Sequence, residues 1–198
     1  MLVIQISLFS IKRTDTKLNK QLSTIYKMSR LILETKRLAL YEYCPEDAPF
    51  IFVLFNTPKW IKFIGDRNIK TLKDAENFII NSYMKGYATN GFGLYKVVLK
   101  ESNTPIGTSG IVNRANLEGM DLGYALLPEF EGHGYITEAN EAVLNIAKEK
   151  YNIATMSAIL LEENTESISV LERLEFKKMG IVLLEGDKEE MLIYSIKL

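Results

Sequence analysis

Between Met120 and Lys150 a run that reads as a strand passes into a run that reads as a helix, and the join is Pro128-Glu-Phe-Glu-Gly-His-Gly-Tyr-Ile-Thr137. Two glycines, Gly132 and Gly134, stand just before the helix. A residue without a Cβ lets the backbone turn tightly and bring its N–H groups against a ligand. The first N–H groups of a helix lack internal partners and lie at the positive end of its dipole. The junction is therefore a place where main-chain donors can hold phosphate. No Lys-Ser/Thr pair follows the glycines, which excludes a P-loop, and a dinucleotide fingerprint would need a third glycine and a later acidic residue. Taken alone, a Gly-x-Gly turn serves equally well as a plain structural turn.

The pattern on either side of this junction alternates between strand and helix. Leu31–Tyr43 alternates apolar and polar residues and reads as one long first strand. Pro45 opens a helix to about Asn56, since proline suits a first turn. Thr71-x-x-Asp74 has the form of a capping box and starts a second helix running to about Thr89. Phe92–Leu99 and Pro105–Asn113 flank the hairpin turn at Ser102-Asn-Thr. Met120–Leu127 reads as a strand, Tyr135–Lys150 as a helix with Ile136, Ala139, Val143, Leu144 and Ala147 as its buried stripe, and Ile153–Leu160 as a strand. Asn164–Leu174 reads as a short helix, and Lys177–Leu184 with Met191–Ile196 as a closing antiparallel hairpin. The class this predicts is α/β (α+β).

A chain of 198 residues with 47% apolar content can bury one core, so residues 30–198 are expected to form a single domain. A net charge of −1 gives no electrostatic case for binding nucleic acid or a membrane surface. The single cysteine, Cys44, excludes an internal disulfide and offers no metal cluster; a small thiol near the start of a helix is the simpler role. No apolar run is long enough to span a bilayer, and the expected location is cytoplasmic. Residues 1–29 stand apart. Met1–Ile11 is apolar, without a preceding positive region or a following cleavage site, and Lys12–Arg30 is basic and nearly free of acid. The reading adopted is a dispensable extension upstream of a start at Met28.

Glu131-Gly132-His133-Gly134-Tyr135-Ile136 resembles motif A of the GNAT superfamily of acetyl-CoA-dependent acetyltransferases, whose pattern is Gln/Arg-x-x-Gly-x-Gly/Ala. Asp121-Leu-Gly-Tyr-Ala-Leu-Leu-Pro-Glu-Phe resembles the strand before it, and Asn164-Thr-Glu-Ser…Leu-Glu-Phe176 the family's Asn-x-x-Ser/Ala…Leu-Gly-Phe segment. Leu33-Glu-Thr-Lys-Arg-Leu, Asn56-Thr-Pro and Ile64-Gly-Asp-Arg are similar to the RimJ/RimL-like branch, which acetylates ribosomal-protein N-termini. Three positions depart from the pattern: Glu131 stands where Gln or Arg is usual, Ile136 where Gly or Ala is usual, and Glu175 where a Gly precedes the Phe.

The resemblance implies a central mixed, mostly antiparallel twisted sheet of about seven strands, splayed at strands 4 and 5, with about four helices. It implies that acetyl-CoA lays its pantetheine arm along the main chain of Tyr124, Ala125 and Leu126, an N–H near Ala125 or Leu126 polarising the thioester carbonyl for about 3–4 kcal/mol. It places the pyrophosphate on the turn of Gly132, His133, Gly134, Tyr135, Ile136 and Thr137. His133 is the only histidine and occupies a solvent-facing position of that turn. Asn164 is both a favoured N-cap and, by resemblance, a coenzyme contact. The tyrosine that many members use as general acid is Leu171 here, which leaves Ser167, with Ser169 or water, to protonate the departing thiolate. Asp121 is the carboxylate carried forward as base, beside Glu118, Glu162 and Glu163; carboxylates in such positions are more often solvated surface groups.

Trp60, Phe63 and Asp66 fall where this family builds its acceptor wall, and their alternative is ordinary packing. A free α-amine costs only about 1 kcal/mol to deprotonate at pH 7, against about 4.6 for lysine, so a site without a strong base suits N-terminal amines. The expectation is an acetyl-CoA-dependent N-acetyltransferase of a protein N-terminus, without a metal, acting as monomer or homodimer. The alternatives are a small amine (polyamine, amino sugar or antibiotic) as acceptor, or a coenzyme-binding regulator that has lost catalysis.

Overall fold

The computed structural model describes residues 29–114, 117–184 and 189–198. Residues 1–28 of the proposed extension, with the start at Met28, fall outside the described residues. A single mixed sheet has eight strands: β1 (Leu31–Glu34), β2 (Leu38–Tyr41), β3 (Leu94–Leu99), β4 (Thr104–Asn113), β5 (Met120–Leu126), β6 (Thr155–Leu160), β7 (Lys177–Val182) and β8 (Met191–Lys197). Their order is β1-β2-β3-β4-β5-β6-β8-β7, antiparallel throughout except for β5 and β6.

The long first strand expected over Leu31–Tyr43 is instead the hairpin β1–β2. The Thr35 hydroxyl is the reason the chain turns. It accepts from the Leu38 N–H at 3.0 Å, while the Thr35 N–H donates to the Leu38 carbonyl at 2.9 Å. This local closure competes successfully with continued extension. The added strand raises the expected seven to eight.

The helical segments are α1 (Ala48–Phe55), α2 (Pro58–Phe63), α3 (Leu72–Phe78), α4 (Lys85–Asn90), α5 (Tyr135–Tyr151) and α6 (Thr165–Arg173). The capping box at Thr71 forms: its hydroxyl accepts from the Asp74 N–H and its own N–H donates to the Asp74 carboxylate. From α3 the chain runs through the π-helical segment Ile79–Met84 into α4, where the sequence predicts one uninterrupted helix. The helix α2 is absent from the sequence reading. Thr57 caps it by accepting from the Trp60 N–H, and Pro58 occupies its first turn.

Helix α5 packs on β4 and β5 through Ala139, Val143, Leu144 and Ala147, as its apolar spacing requires. Ile136 is only half-buried, because the first turn of α5 lies over a cleft rather than over the sheet. Asn140 joins the buried face instead, its Oδ1 accepting from the Ser109 hydroxyl at 2.7 Å. A second, aromatic-rich core sits under α1–α4, with Phe55 stacked on Trp60 at 4.0 Å between ring centroids.

Candidate active site

Strand β5 pairs with β4 from Met120 to Leu126, but with β6 only at Met120–Met156 and Asp121–Ser157. Beyond Asp121 the two strands diverge. The Leu127 N–H donates to the Ile106 carbonyl at 2.8 Å, and backbone direction alternates along an antiparallel ladder. The main-chain groups of Tyr124 and Leu126 consequently face the gap, while those of Ala125 face β4. Of the two amides considered for the thioester carbonyl, Leu126 is the one turned toward the opening.

The gap widens into a cleft of about 1000 Å³, lined among others by Trp60, Tyr124, Gly132, Gly134, Asn164 and Ser167. A short 3-10 turn, Pro128–Phe130, leads into Gly132 at φ +76° and Gly134 at φ +74°, and Gly134 caps α5. Glycine takes these left-handed values at no steric cost. A Cβ on Gly132 would meet nothing within 4 Å, and one on Gly134 would lie 3.6 Å from Arg37 Nη2. The space over both glycines is open. The N–H groups of Tyr135, Ile136 and Thr137 begin the helix without intrahelical acceptors. Open space over glycines, unpartnered helix donors and a free strand edge together fit an extended ligand that ends in phosphates.

Two cations absent from the sequence reading anchor this turn. Arg37 donates through Nη1 to the His133 carbonyl (2.9 Å) and through Nε to Glu138 (2.6 Å), and its guanidinium lies 4.5 Å from the Tyr135 ring centre. Glu138 also accepts from the Thr35 hydroxyl (2.5 Å) and the Arg37 N–H (2.9 Å). Burial pushes the Glu138 carboxyl up, but these bonds outweigh it and hold the group below its ordinary range. On the other side Lys59 Nζ lies 2.5 Å from Glu131 Oε2 and 2.5 Å from Glu166 Oε2. The Glu131 carboxylate, which stands where the motif has Gln or Arg, thus has an ammonium partner from α2. His133 is exposed, its ring stacked on Tyr135 and its Nδ1 2.7 Å from the Glu131 carbonyl oxygen.

On α6, the Asn164 side chain accepts from the Ser167 N–H at 3.2 Å and caps the helix. The Ser169 hydroxyl is spent on the Thr165 carbonyl, which leaves Ser167 as the cleft-lining hydroxyl of the two named from sequence without such a bond. Leu171, the site of the family's tyrosine, is core. The Tyr124 phenol crosses the gap and donates to the Ser167 carbonyl at 3.2 Å, tying β5 to α6. Burial pushes the Tyr124 pKa up.

Asp121 does not fit the role of base. Its side chain is 1% exposed, is bonded to Arg114 Nε and lies outside the cleft lining. Burial raises its pKa against the pull of Arg114. Asp121 holds Arg114, which does line the cleft. Glu162 and Glu163 border a separate depression with Lys62, and Glu118 is exposed. Trp60 and Phe63 line the cleft, whereas Asp66 turns away: its carboxylate accepts from the Asn68 N–H and pairs with Lys70. Among the described residues, no group of three or more His, Cys, Asp or Glu side chains could hold a metal ion.

A mixed sheet splayed beside a glycine turn that caps a helix is the arrangement that the resemblance to the acetyl-CoA-dependent acetyltransferases implies. The chain belongs to the GNAT acetyltransferase family: residues 37–177 match the family described as "Acetyltransferase (GNAT) domain". It is an acetyl-CoA-dependent N-acetyltransferase. It is 24% identical over 170 residues to the uncharacterized N-acetyltransferase YoaA of Bacillus subtilis, covering 83% of this chain and 96% of that one. Its fold is shared with an acetyltransferase from Agrobacterium tumefaciens (TM-score 0.72, 24% identity, 86% and 96% covered). It is shared also with RimL, a ribosomal L7/L12 α-N-protein acetyltransferase solved with coenzyme A (TM-score 0.73, 16% identity, 85% and 98% covered). At these identities the likeness is one of fold. No helix among the described residues is long and apolar enough to cross a membrane.

Proposed function

We propose that this enzyme acetylates an α-amine, most naturally a protein N-terminus, by direct transfer within a ternary complex. The observation that carries the reading is the state of the cleft's carboxylates. Among the described residues, the acidic side chains that line it, Glu131 and Glu166, are both bonded to Lys59. Among the described residues no cleft carboxylate is left outside that bridge to act as a strong base. An α-amine with a pKa near 7.8 needs about 1 kcal/mol to lose its proton at pH 7, which solvent can accept; a lysine needs about 4.6. The fold neighbour RimL, by its description, is an α-N-protein acetyltransferase, which supports the same class of acceptor.

In this reading the pantetheine arm lies along the gap-facing main chain of Tyr124 and Leu126. The pyrophosphate rests on the N–H groups from Gly132 to Thr137. The amine enters past Trp60 and Phe63, and its lone pair attacks the acetyl carbonyl carbon. The carbonyl oxygen takes a hydrogen bond from the Leu126 N–H as charge builds on it. The carbon–sulfur bond then breaks, the thiolate takes a proton from the Ser167 hydroxyl or from water, and the proton that the attacking nitrogen loses restores that hydroxyl or passes to solvent. A thiol pKa near 8.5 makes that last step undemanding.

The test is an acetylation screen of short peptides with free and blocked N-termini, run beside lysine side chains, polyamines and amino sugars, with products identified by mass. Acetylation at peptide N-termini supports the proposal. Preference for a small amine, or for a lysine side chain, rejects it.

A further inference from the structure

The Lys59 bridge joins three elements around the cleft: α2 of the aromatic layer, the glycine turn through Glu131, and the first turn of α6 through Glu166. Glu131 occupies the motif position where the resemblance leads one to expect Gln or Arg, so the turn itself brings a negative charge toward the phosphate site. With one ammonium between two carboxylates, the cluster is net negative. An anionic ligand settling on the adjacent N–H groups would meet that charge. Among the described residues four cations line the cleft: Arg114 is committed to Asp121, Arg67 follows α2 and Arg173 ends α6, whereas Lys59 bonds Glu131 in the glycine turn itself; Arg37, which also meets the turn, is held by Glu138.

The Lys59 backbone is fixed, because Thr57 caps α2 and Trp60 anchors it in the core. Its flexible stem, by contrast, can carry the ammonium between partners. The bridge is partly exposed, at 39%, 34% and 68% for Lys59, Glu131 and Glu166. Exposed pairs of this kind contribute only about 0–1 kcal/mol, so exchange of one anionic partner for another costs little. The hydrogen bonds that Lys59 donates to Glu131, then to Glu166, raise its pKa and keep it an ammonium.

We propose that Lys59 is a coenzyme-positioning residue: its ammonium turns toward the coenzyme's phosphates on binding and offsets the two carboxylates, Glu131 and Glu166, that flank them. A cation from α2 thus replaces the one the motif lacks. The inference rests on the glycine turn being the pyrophosphate site. A competing role exists, in which the bridge is merely a strap that holds α2 in place.

The two roles differ in sign, and calorimetric titration of coenzyme A at low and high salt separates them. Lys59→Met should weaken binding about tenfold at low salt, since it removes the cation and leaves both carboxylates facing the phosphates. The double variant Glu131→Gln/Glu166→Gln should tighten binding by several-fold, since it frees the ammonium and removes the repulsion. Lys59→Arg should keep wild-type affinity. Both shifts should shrink between 0.1 M and 1 M salt, as the Debye length falls from about 10 to about 3 Å. A strap would be broken by Lys59→Met and by the double variant alike, so affinity changes of the same sign, or none in either, overturn the proposal. Gly134→Val belongs in the same series. If it leaves affinity intact, the turn is not the phosphate site and the underlying reading falls with this one. If it weakens binding while the Lys59 and double variants move together, only the role of Lys59 is lost.

Discussion

The glycine turn is gripped from two sides, and the grips are built differently. Toward the β1–β2 hairpin, Glu138 accepts three hydrogen bonds from Thr35 and Arg37, and Arg37 returns one to the His133 carbonyl. Its carboxylate is only 20% exposed. Toward α2, Lys59 spans two carboxylates, one of them 68% exposed, and among the described residues neither of these carboxylates takes another hydrogen bond. The same chemical pieces therefore give a rigid mount on one side and a loosely held charge on the other. Charge-assisted hydrogen bonds in a half-buried network contribute roughly 1.5–3 kcal/mol, whereas an exposed pair contributes about 0–1. Stability should depend on the Glu138 side, and ligand charge should be felt on the Lys59 side.

The largest expected effect comes from destroying what both sides hold. Gly134→Val puts a branched residue at φ +74°, a conformation costing about 1–2 kcal/mol for an L-residue, and fills the space over the turn. Coenzyme affinity should fall roughly a hundredfold, about 2.7 kcal/mol, by calorimetry. An unchanged affinity would place the site elsewhere.

Next is the rigid mount. Glu138→Gln should lower stability by about 1–2 kcal/mol, roughly 3–6 °C in melting temperature. The pH dependence has a definite sign. A carboxyl whose folded pKa lies below its unfolded value contributes stability above that unfolded value, near 4.3, and loses the contribution as pH falls through the folded pKa. The wild-type melting temperature should therefore drop more steeply than that of Glu138→Gln as pH is lowered from 5 toward 3. Parallel curves would mean that the network is not the mount it looks to be.

Helix α6 starts on the loosely held side, and its Ser167 hydroxyl tests whether chemistry resides there. Ser167→Ala should reduce turnover by about tenfold, the small end for general acid catalysis because a thiolate leaves readily, while melting changes little. Asn164→Ala should do the reverse, costing about 1 kcal/mol of stability through the lost cap and raising the Michaelis constant for acetyl-CoA. Wild-type turnover in Ser167→Ala, where chemistry limits the rate, would leave water as the donor.

Local features were legible in the sequence, and long-range ones were not. The turn, α5 and the capping box at Thr71 are set by residues within a few positions of each other, so their types and spacing announce them. The hairpin at Thr35 was read as continuous strand, although its apolar parity shifts from Leu31 and Leu33 to Leu38 and Leu40. The parity change was the available signal. Helix α2 is too short for periodicity to register; only Thr57-Pro58 marked its start. Arg37 and Lys59 reach partners 101 and 72 residues away, and no spacing rule connects such pairs. Only the oddity of a carboxylate at position 131 hinted that a compensating cation had to arrive from another element. Asp121 shows the matching limit: its position on the strand was readable, but its burial beneath Arg114 depends on how β5 meets β6.

The smallest effect is expected from the stability of Glu131→Gln, and its smallness is the point. Losing one of two carboxylates leaves Lys59 still paired with Glu166, and the lost contact is between groups 39% and 34% exposed. Side-chain entropy and salt screening offset most of the attraction in such a pair. The melting temperature should move by no more than about 1 °C, well below the change for Glu138→Gln. If Glu131→Gln instead destabilises the protein as much as Glu138→Gln does, the two sides of the turn are equally rigid. The contrast between mount and movable charge would then be wrong, and Lys59 would have to be regarded as a structural strap.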